Sequence, residues 1–449
     1  MRPTVVALAA ASAGFAATAP SKPNILVIVS DDQGYADTGF QAAKDIPTPH
    51  LDRLATSGVR FTNGYVTHPF CSPTRAGLMT GRYQQRFGHE RNPFYNPADH
   101  REGLPTGETL LPAWLRPAGY VTGWIGKWHL GAAPEFAPHR RGFVETYGFI
   151  GGGHRFRDWT ANPVVEYQVP IERNGTAVET PPHLTAAFGA EAAAFIRRHA
   201  GEPWFLYLAF NSPHNPQEPT AERLARFAAI ADPLRQKYAA QVSLMDDAIG
   251  ETLAALRATQ QEQRTLVFFF SDNGGPVGIN GSDNSPLRGA KGSVYEGGIR
   301  VPFVVAWPGR IRGGATDERP VSSVDVFATS LAAAGVAMPT DRKYDSVNLL
   351  PYLTGEQRGS PHARLYWRNA ALLAVREGEW KLVRGAGHAD ELYRLSDDIA
   401  EAKDLAATHP KERERLAAAL EAWNRELVDP VFPGAGGGAN RAKKKSKQD

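Results

Sequence analysis

The 449-residue chain has a single cysteine, Cys71, and little net charge of either sign. One cysteine excludes an internal disulfide framework, and a chain this long needs none, because it can bury a sizeable core. No stretch after the N-terminal segment approaches the length of apolar run that a spanning helix requires. The formal net charge of +3 belongs to the far end. Arg441, Lys443, Lys444, Lys445 and Lys447 against Asp449 account for all of it, and the remainder is near neutral. That leaves a nucleic-acid partner with little support. Hydrophobic content of 42% with 10% aromatics is ordinary for a folded globule.

The N-terminus carries a targeting pattern: basic Arg2, the apolar run "VVALAAASAGFA", and small residues at Ala17–Ala19. It predicts an export signal over residues 1–19, and hence a periplasmic or extracellular location. The glycine- and lysine-rich end, 431–449, reads as a disordered basic tail. Between them, continuous apolar runs end in polar residues. "NILVIVSDD", "WFLYLAFNSPH" and "RTLVFFFSDNGG" share that design, and "VPFVVAWPG" is a further strand. Helix-like stretches such as "TPHLDRLATSG", "GETLLPAWLRPAGY" and "KYAAQVSLMDDAIGETLAALRAT" lie among them. The alternation predicts an α/β fold over 20–360, with a mostly parallel central sheet flanked by helices on both faces. In such sheets ligands sit beyond the carboxyl ends of the strands, so the polar residues there should converge. Residues 361–430 change texture. "ARLYWRN", "ALLAVREGEWKLVRG" and "ELYRLSD" predict an antiparallel meander closed by the helix "HPKERERLAAALEAWNREL", a smaller C-terminal subdomain.

Asp31 and Asp32 end one strand, and Asp272 and Asn273 end another. Three carboxylates and an amide are hard oxygen donors that suit calcium or magnesium. Without a cation they would raise one another's pKa. In "HPFCSPTRAGLMTGRY", Ser72 is a good N-cap, Pro73 fits the first helical turn, and Gly81 can end the helix. Cys71 then lies at a helix start with Arg75 one turn on, a setting that favours a reactive thiol over a small buried hydrophobe.

"CSPTRAGLMTGR" resembles the signature of the formylglycine-dependent sulfatases, of the alkaline phosphatase superfamily. Further segments resemble that family in order along the chain: "PNILVIVSDDQGY", "GKWHLG", "AFNSPH", "SDNGG", "LRGAKGSVYEGGIRVPFVVAWPG" and "ELYRLSDD". Thr74 stands where serine is usual, while Cys71, Pro73 and Arg75 are intact. The resemblance implies that a maturation enzyme oxidises Cys71 to Cα-formylglycine. It implies one calcium held by Asp31, Asp32, Asp272 and Asn273 and touching the modified Cys71. It assigns attack on sulfur to the aldehyde hydrate with Asp272 as base, charge neutralisation to Lys127 and Lys291, and orientation to Arg75 and Lys127. His214 or Lys291 would protonate the departing alcohol, and His129 would take the proton that lets sulfate leave.

The loops "RFGHERNP" and "PEFAPHRRGFVETYGFIGGGHRF" resemble those of sulfatases acting on galactose or N-acetylgalactosamine units of sulfated carbohydrates. His89, Arg91, His154 and Arg155 are the candidate substrate-binding residues. Two other readings remain open at this level: a phosphate or phosphonate ester hydrolase of the same superfamily, and a non-catalytic glycan-binding protein whose Cys71 stays a thiol.

Overall fold

The computed structural model describes residues 22–385 and 387–434. The expected export segment, 1–19, lies outside them, as does the tail from 435 onward. A ten-stranded sheet organises the larger part of the chain. Its middle consists of five parallel strands, in spatial order Glu145–Phe149, Val121–Lys127, Trp204–Ala209, Asn24–Ser30 and Thr265–Ser271. The Phe303–Ala306 strand joins beside Thr265–Ser271 in the antiparallel sense, followed by Val59–Phe61 and Ala315–Asp317.

The continuous apolar runs are explained by burial on two faces. Ile25, Val27 and Val29 pack on one face with Phe268 and Phe270, whereas Leu26 and Ile28 pack on the other with Val267 and Phe269. Each such side chain contributes roughly 1.5–3 kcal/mol when fully buried. Helices Pro49–Ser57, Leu184–Arg198 and Pro233–Ala258 cover the second face through Leu51, Phe188, Phe195, Met245 and Ile249. Helices Cys71–Thr80, Leu111–Leu115 and Asp325–Ala334 cover the first through Leu78, Met79, Leu111, Phe327 and Leu331.

The Val121–Lys127 strand was not legible as one, because Gly123 and Gly126 interrupt its pattern. Gly126 is required there. Its φ is 115°, and a Cβ would strike the Ala209 carbonyl of the neighbouring strand. That strand ends on Lys127, which it thereby delivers to the same edge as the other strand ends.

The C-terminal part is a four-stranded antiparallel sheet, Leu365–Asn369, Leu372–Glu377, Trp380–Arg384 and Glu391–Arg394, with the helix Pro410–Asn424 packed on it through Leu416, Leu420 and Trp423. Its Trp367 belongs to the large core, so this sheet is built onto the first. The expected tail starts too early. Val431 donates its N–H to the Gly88 carbonyl at 3.0 Å, and Phe432 is buried with its ring 5.1 Å from that of His89. Burial of one aromatic side chain holds residues 431–434 against the fold.

Candidate active site

Parallel pairing places Ser30 opposite Ser271, so the chain leaves both strands at the same level, and the Asp272 N–H donates to the Ser30 carbonyl at 3.0 Å. Asp31 and Asp272 therefore enter one pocket. Asp32 takes a left-handed backbone (φ 64°), which aspartate tolerates in tight turns, and this turns its carboxylate toward the same space. One donor atom each of Asp31, Asp32, Cys71 and Asp272 lies within 4.8 Å of the others. Cys71 Sγ is 3.4 Å from Asp31 Oδ1 and 4.0 Å from Asp32 Oδ1.

Three cations face the three carboxylates. Lys127 Nζ sits 2.6 Å from Asp31 Oδ2, and Lys291 Nζ sits 2.6 Å from Asp32 Oδ1 and 3.3 Å from Cys71 Sγ. Arg75 donates Nε–H and Nη2–H to Asp272 Oδ2 at 2.9 and 2.8 Å, and Nη1–H to the Lys127 carbonyl at 3.2 Å. Arg75, Lys127, Asp31 and Asp272 are completely buried. Burial alone would raise the Asp31 carboxyl, but Lys127, His214 and Arg75 outweigh it and hold it far below the usual range. Burial and the Asp31 charge instead push Asp272 up to about 6, with Arg75 opposing. One pocket thus holds two carboxylates with their affinities for protons driven apart.

The helix begins two residues earlier than its capping pattern predicts. It spans Cys71–Thr80 with Phe70 as N-cap, and Gly81 closes it in the left-handed region. Ser72 does not cap it, because its hydroxyl donates to the His129 carbonyl at 2.5 Å and lies 2.7 Å from His89 Nε2. The expectation of an activated thiol also fails. Burial, then the Asp272 charge, pushes the Cys71 thiol well above its ordinary range, and Lys127 and Lys291 do not compensate. Desolvation outweighs the helix dipole and disfavours the thiolate at this position.

His129 has φ 60° and is buried; burial, Lys127 and Arg75 keep its imidazole neutral. Gly152 makes room for it, since a Cβ there would lie 2.5 Å from His129 Nε2 and 2.7 Å from Glu166 Oε1. His214 Nδ1 is 2.6 Å from the Asn215 carbonyl, and its Nε2 is 3.6 Å from Asp32 Oδ2. Burial lowers its pKa while Asp32 and Asp31 oppose.

The four residues proposed to bind substrate do not converge. His89 is fully buried behind the Cys71 helix and held down to about 3 by burial. Arg91 lies half-buried beside Gly434. His154 is 1% exposed, packed 4.2 Å from the Trp159 ring with Nε2 2.8 Å from the Val169 carbonyl. Arg155 commits Nε–H and Nη2–H to Glu218 Oε1 at 2.8 and 2.6 Å. Loop histidines and arginines have found local acceptors, which desolvation makes costly to leave. Tyr167, Glu166 and Tyr207, none of them in a recognisable motif, stand closer to the chemistry. Tyr207 Oη lies 3.3 Å from Arg75 Nη1, and the Tyr167 ring is 6.5 Å from that of His214.

The donor set fits a hard divalent cation. Asn273 turns its Nδ2 toward Asp32 Oδ1 at 2.7 Å, and its Oδ1 is buried without a partner beside the carboxylate cluster. A buried amide oxygen without a donor is costly, and a metal ion would satisfy it. With three carboxylates against three fixed cations, an added divalent ion would also leave the pocket positive, as an anionic ester requires.

Residues 23–336 match the sulfatase family, and residues 290–426 match the family described as N-sulphoglucosamine sulphohydrolase, C-terminal. The N-acetylgalactosamine-6-sulfatase of Homo sapiens is 37% identical over 384 residues, covering 82% of this chain and 72% of that protein. That of Canis lupus familiaris is 36% identical over 401 residues, covering 84% and 74%. The solved structure of Ps i-CgsB in complex with k-i-k-neocarrahexaose superposes with a TM-score of 0.88 at 35% identity, covering 92% of this chain and 95% of the other.

Proposed function

The chain belongs to the sulfatase family and is a sulfuric ester hydrolase, and on that premise we propose that it removes sulfate from sulfated carbohydrates of the galactose or N-acetylgalactosamine type. The reading includes one calcium at Asp31, Asp32, Asp272 and Asn273, and maturation of Cys71 to Cα-formylglycine by a transient partner enzyme. It also includes export to the periplasm or the exterior. The observation that carries it is the cluster itself: three carboxylates and Cys71 within 4.8 Å, beside an amide oxygen with no donor. Relatives named for N-acetylgalactosamine 6-sulfate and a neighbour bound to a neocarrahexaose support the substrate class.

When present, the calcium supplies positive charge to the sulfate oxygens and the formylglycine supplies a hydrated aldehyde as nucleophile. The side chains of the protein do the rest. Lys127 Nζ and Lys291 Nζ flank position 71 and meet the charge of the ester. Arg75 holds Asp272 by one oxygen, Oδ2, and the other, Oδ1, takes only the Asp32 N–H at 3.3 Å. That less engaged oxygen is the one able to accept a proton. The proton for the departing alcohol is held at Lys291 Nζ, or at His214 Nε2 when that ring is doubly protonated, the two nitrogens that share Asp32. Neutral His129 is free to accept a proton in the step that releases sulfate.

The test is release of free sulfate by protein co-produced with a formylglycine-generating enzyme. Galactose 6-sulfate, N-acetylgalactosamine 6-sulfate, an aryl sulfate and an aryl phosphate are compared, and peptide mass spectrometry follows Cys71. Sulfated sugars should be turned over. Dominant phosphate turnover, or an unmodified thiol in fully active protein, would overturn the reading.

A further inference from the structure

Immediately outside the site lies an open cavity of about 510 Å³ lined by Tyr167, Asn215, Gln217, Leu234, Lys237 and Ile279. Its size falls within the range of small-molecule sites. It adjoins the chemistry directly, because Asn215 follows His214 and the Tyr167 ring lies against the His214 ring.

The polar groups of its wall are aimed in a particular way. Asn215 Nδ2–H donates to the Ile279 carbonyl at 3.1 Å, and Gln217 Nε2–H donates to the Asn280 carbonyl at 2.7 Å and the Pro213 carbonyl at 3.2 Å. With both nitrogens committed to backbone, the two amide oxygens remain as fixed acceptors suited to hydroxyl groups. Lys237 is exposed, and among the described residues its ammonium has no ion-pair partner. The apolar part is equally local. Tyr167 and Ile279, from two separate segments that both line the cavity, are 37% and 66% exposed. Exposed apolar surface rimmed by polar groups marks a binding site, and an aromatic ring is a platform for a sugar face.

We propose that this cavity is a second sugar-binding site, which takes the unit next to the one being desulfated, and that Lys237 holds a sulfate or carboxylate on that unit. The proposal rests on the carbohydrate reading and extends it. The enzyme prefers a repeating, multiply charged oligosaccharide over a sulfated monosaccharide. Tyr167 and Ile279 supply the apolar floor, Asn215 and Gln217 accept from ring hydroxyls, and Lys237 selects for charge.

The experiment compares matured wild type with Lys237→Glu on three probes: a chondroitin 6-sulfate hexasaccharide, a carrageenan hexasaccharide, and N-acetylgalactosamine 6-sulfate, with an aryl sulfate as reference. For whichever hexasaccharide wild type uses, kcat/KM relative to the aryl sulfate should fall about tenfold in the variant, mainly through KM. Raising ionic strength should weaken hexasaccharide use by wild type more than by the variant. Equal ratios in the two proteins, or no preference of wild type for a hexasaccharide over the monosaccharide, would overturn the second site while leaving the carbohydrate reading intact. Turnover of aryl sulfate with none of the sugars would overturn the carbohydrate reading and this proposal together.

Discussion

Two of the buried charge clusters among the described residues are built to opposite ends. The pocket cluster sets Asp31, Asp32 and Asp272 against Arg75, Lys127 and Lys291, and keeps an amide oxygen unpaired beside a cysteine. The other joins the short helix Glu296–Ile299 and Tyr65 to the C-terminal sheet. There Lys381 Nζ lies 2.8 Å from both Glu296 Oε1 and Glu401 Oε1, while Glu296 Oε2 accepts from Tyr65 Oη at 2.6 Å and Arg300 Nη1 at 3.2 Å. Glu401 Oε2 accepts from the Glu296 N–H at 2.7 Å, and Arg376 donates to Tyr65 Oη. The second cluster is sealed among side chains and, although Glu401 Oε1 lacks a hydrogen bond, the Lys381 ammonium lies 2.8 Å from it, so the cluster needs no outside ion and ties the C-terminal sheet to the rest of the fold. The first leaves a donor position for something the chain does not itself provide. Buried charge alone therefore does not mark a catalytic centre; incomplete pairing beside an opening does.

The contrast can be broken by substitution. Asp31→Asn should reduce sulfate release by at least about 1000-fold in protein that is still folded at the assay temperature, because the lost charge acts on substrate and metal. Sulfate release by the folded variant close to that of wild type would show that the pocket cluster is not the catalytic centre. Lys381→Met should do the reverse. It strands two buried carboxylates and should cost about 3–5 kcal/mol in urea unfolding. A folded Lys381→Met protein with normal stability and no activity would erase the distinction between the clusters.

Chelation should sharpen it. Removing calcium from a site saturated a hundredfold above its Kd should lower stability by about 2.7 kcal/mol, read as a fall in unfolding temperature. The same treatment of Asp31→Asn should shift it far less.

A smaller effect concerns pH in the sealed cluster. Burial, only partly offset by Lys381, pushes Glu401 up to about 7 from an unfolded value of 4.5. The folded state therefore binds the proton more tightly, its stabilising contribution is complete below about pH 4.5, and it declines as pH rises toward 7. Glu401→Gln should flatten the slope of stability between those limits, and an unchanged slope would place the titration elsewhere. Least of all, Thr74→Ser should leave activity and stability within about 0.5 kcal/mol of wild type, because either hydroxyl can donate to the His68 carbonyl as Thr74 Oγ1 does at 2.8 Å.

Much of the site was legible because its residues sit at places where the backbone pattern changes. Asp31 and Asp272 end apolar runs, and a parallel sheet brings such ends to one edge. Lys127 was legible through likeness to a family rather than through its strand, whose glycines hide the period. His154 and Arg155 were misplaced because an unpaired histidine or arginine in a loop looks the same in a sequence whether it faces a ligand or a glutamate. Glu218 lies 63 residues from Arg155, and nothing local announces that pairing.

Composition and hydrophobic pattern by themselves settled the class of fold, the sheet edge at which chemistry would gather, and the oxygen donors available there, because all three follow from local periodicity and residue chemistry. Tertiary structure alone decided the burial of Cys71, the identity of the groups beside His129 and His214, and which of these two buried charge clusters takes in an unpaired amide oxygen beside Cys71. Those outcomes depend on desolvation and on partners distant in the chain, and both are set by packing in three dimensions.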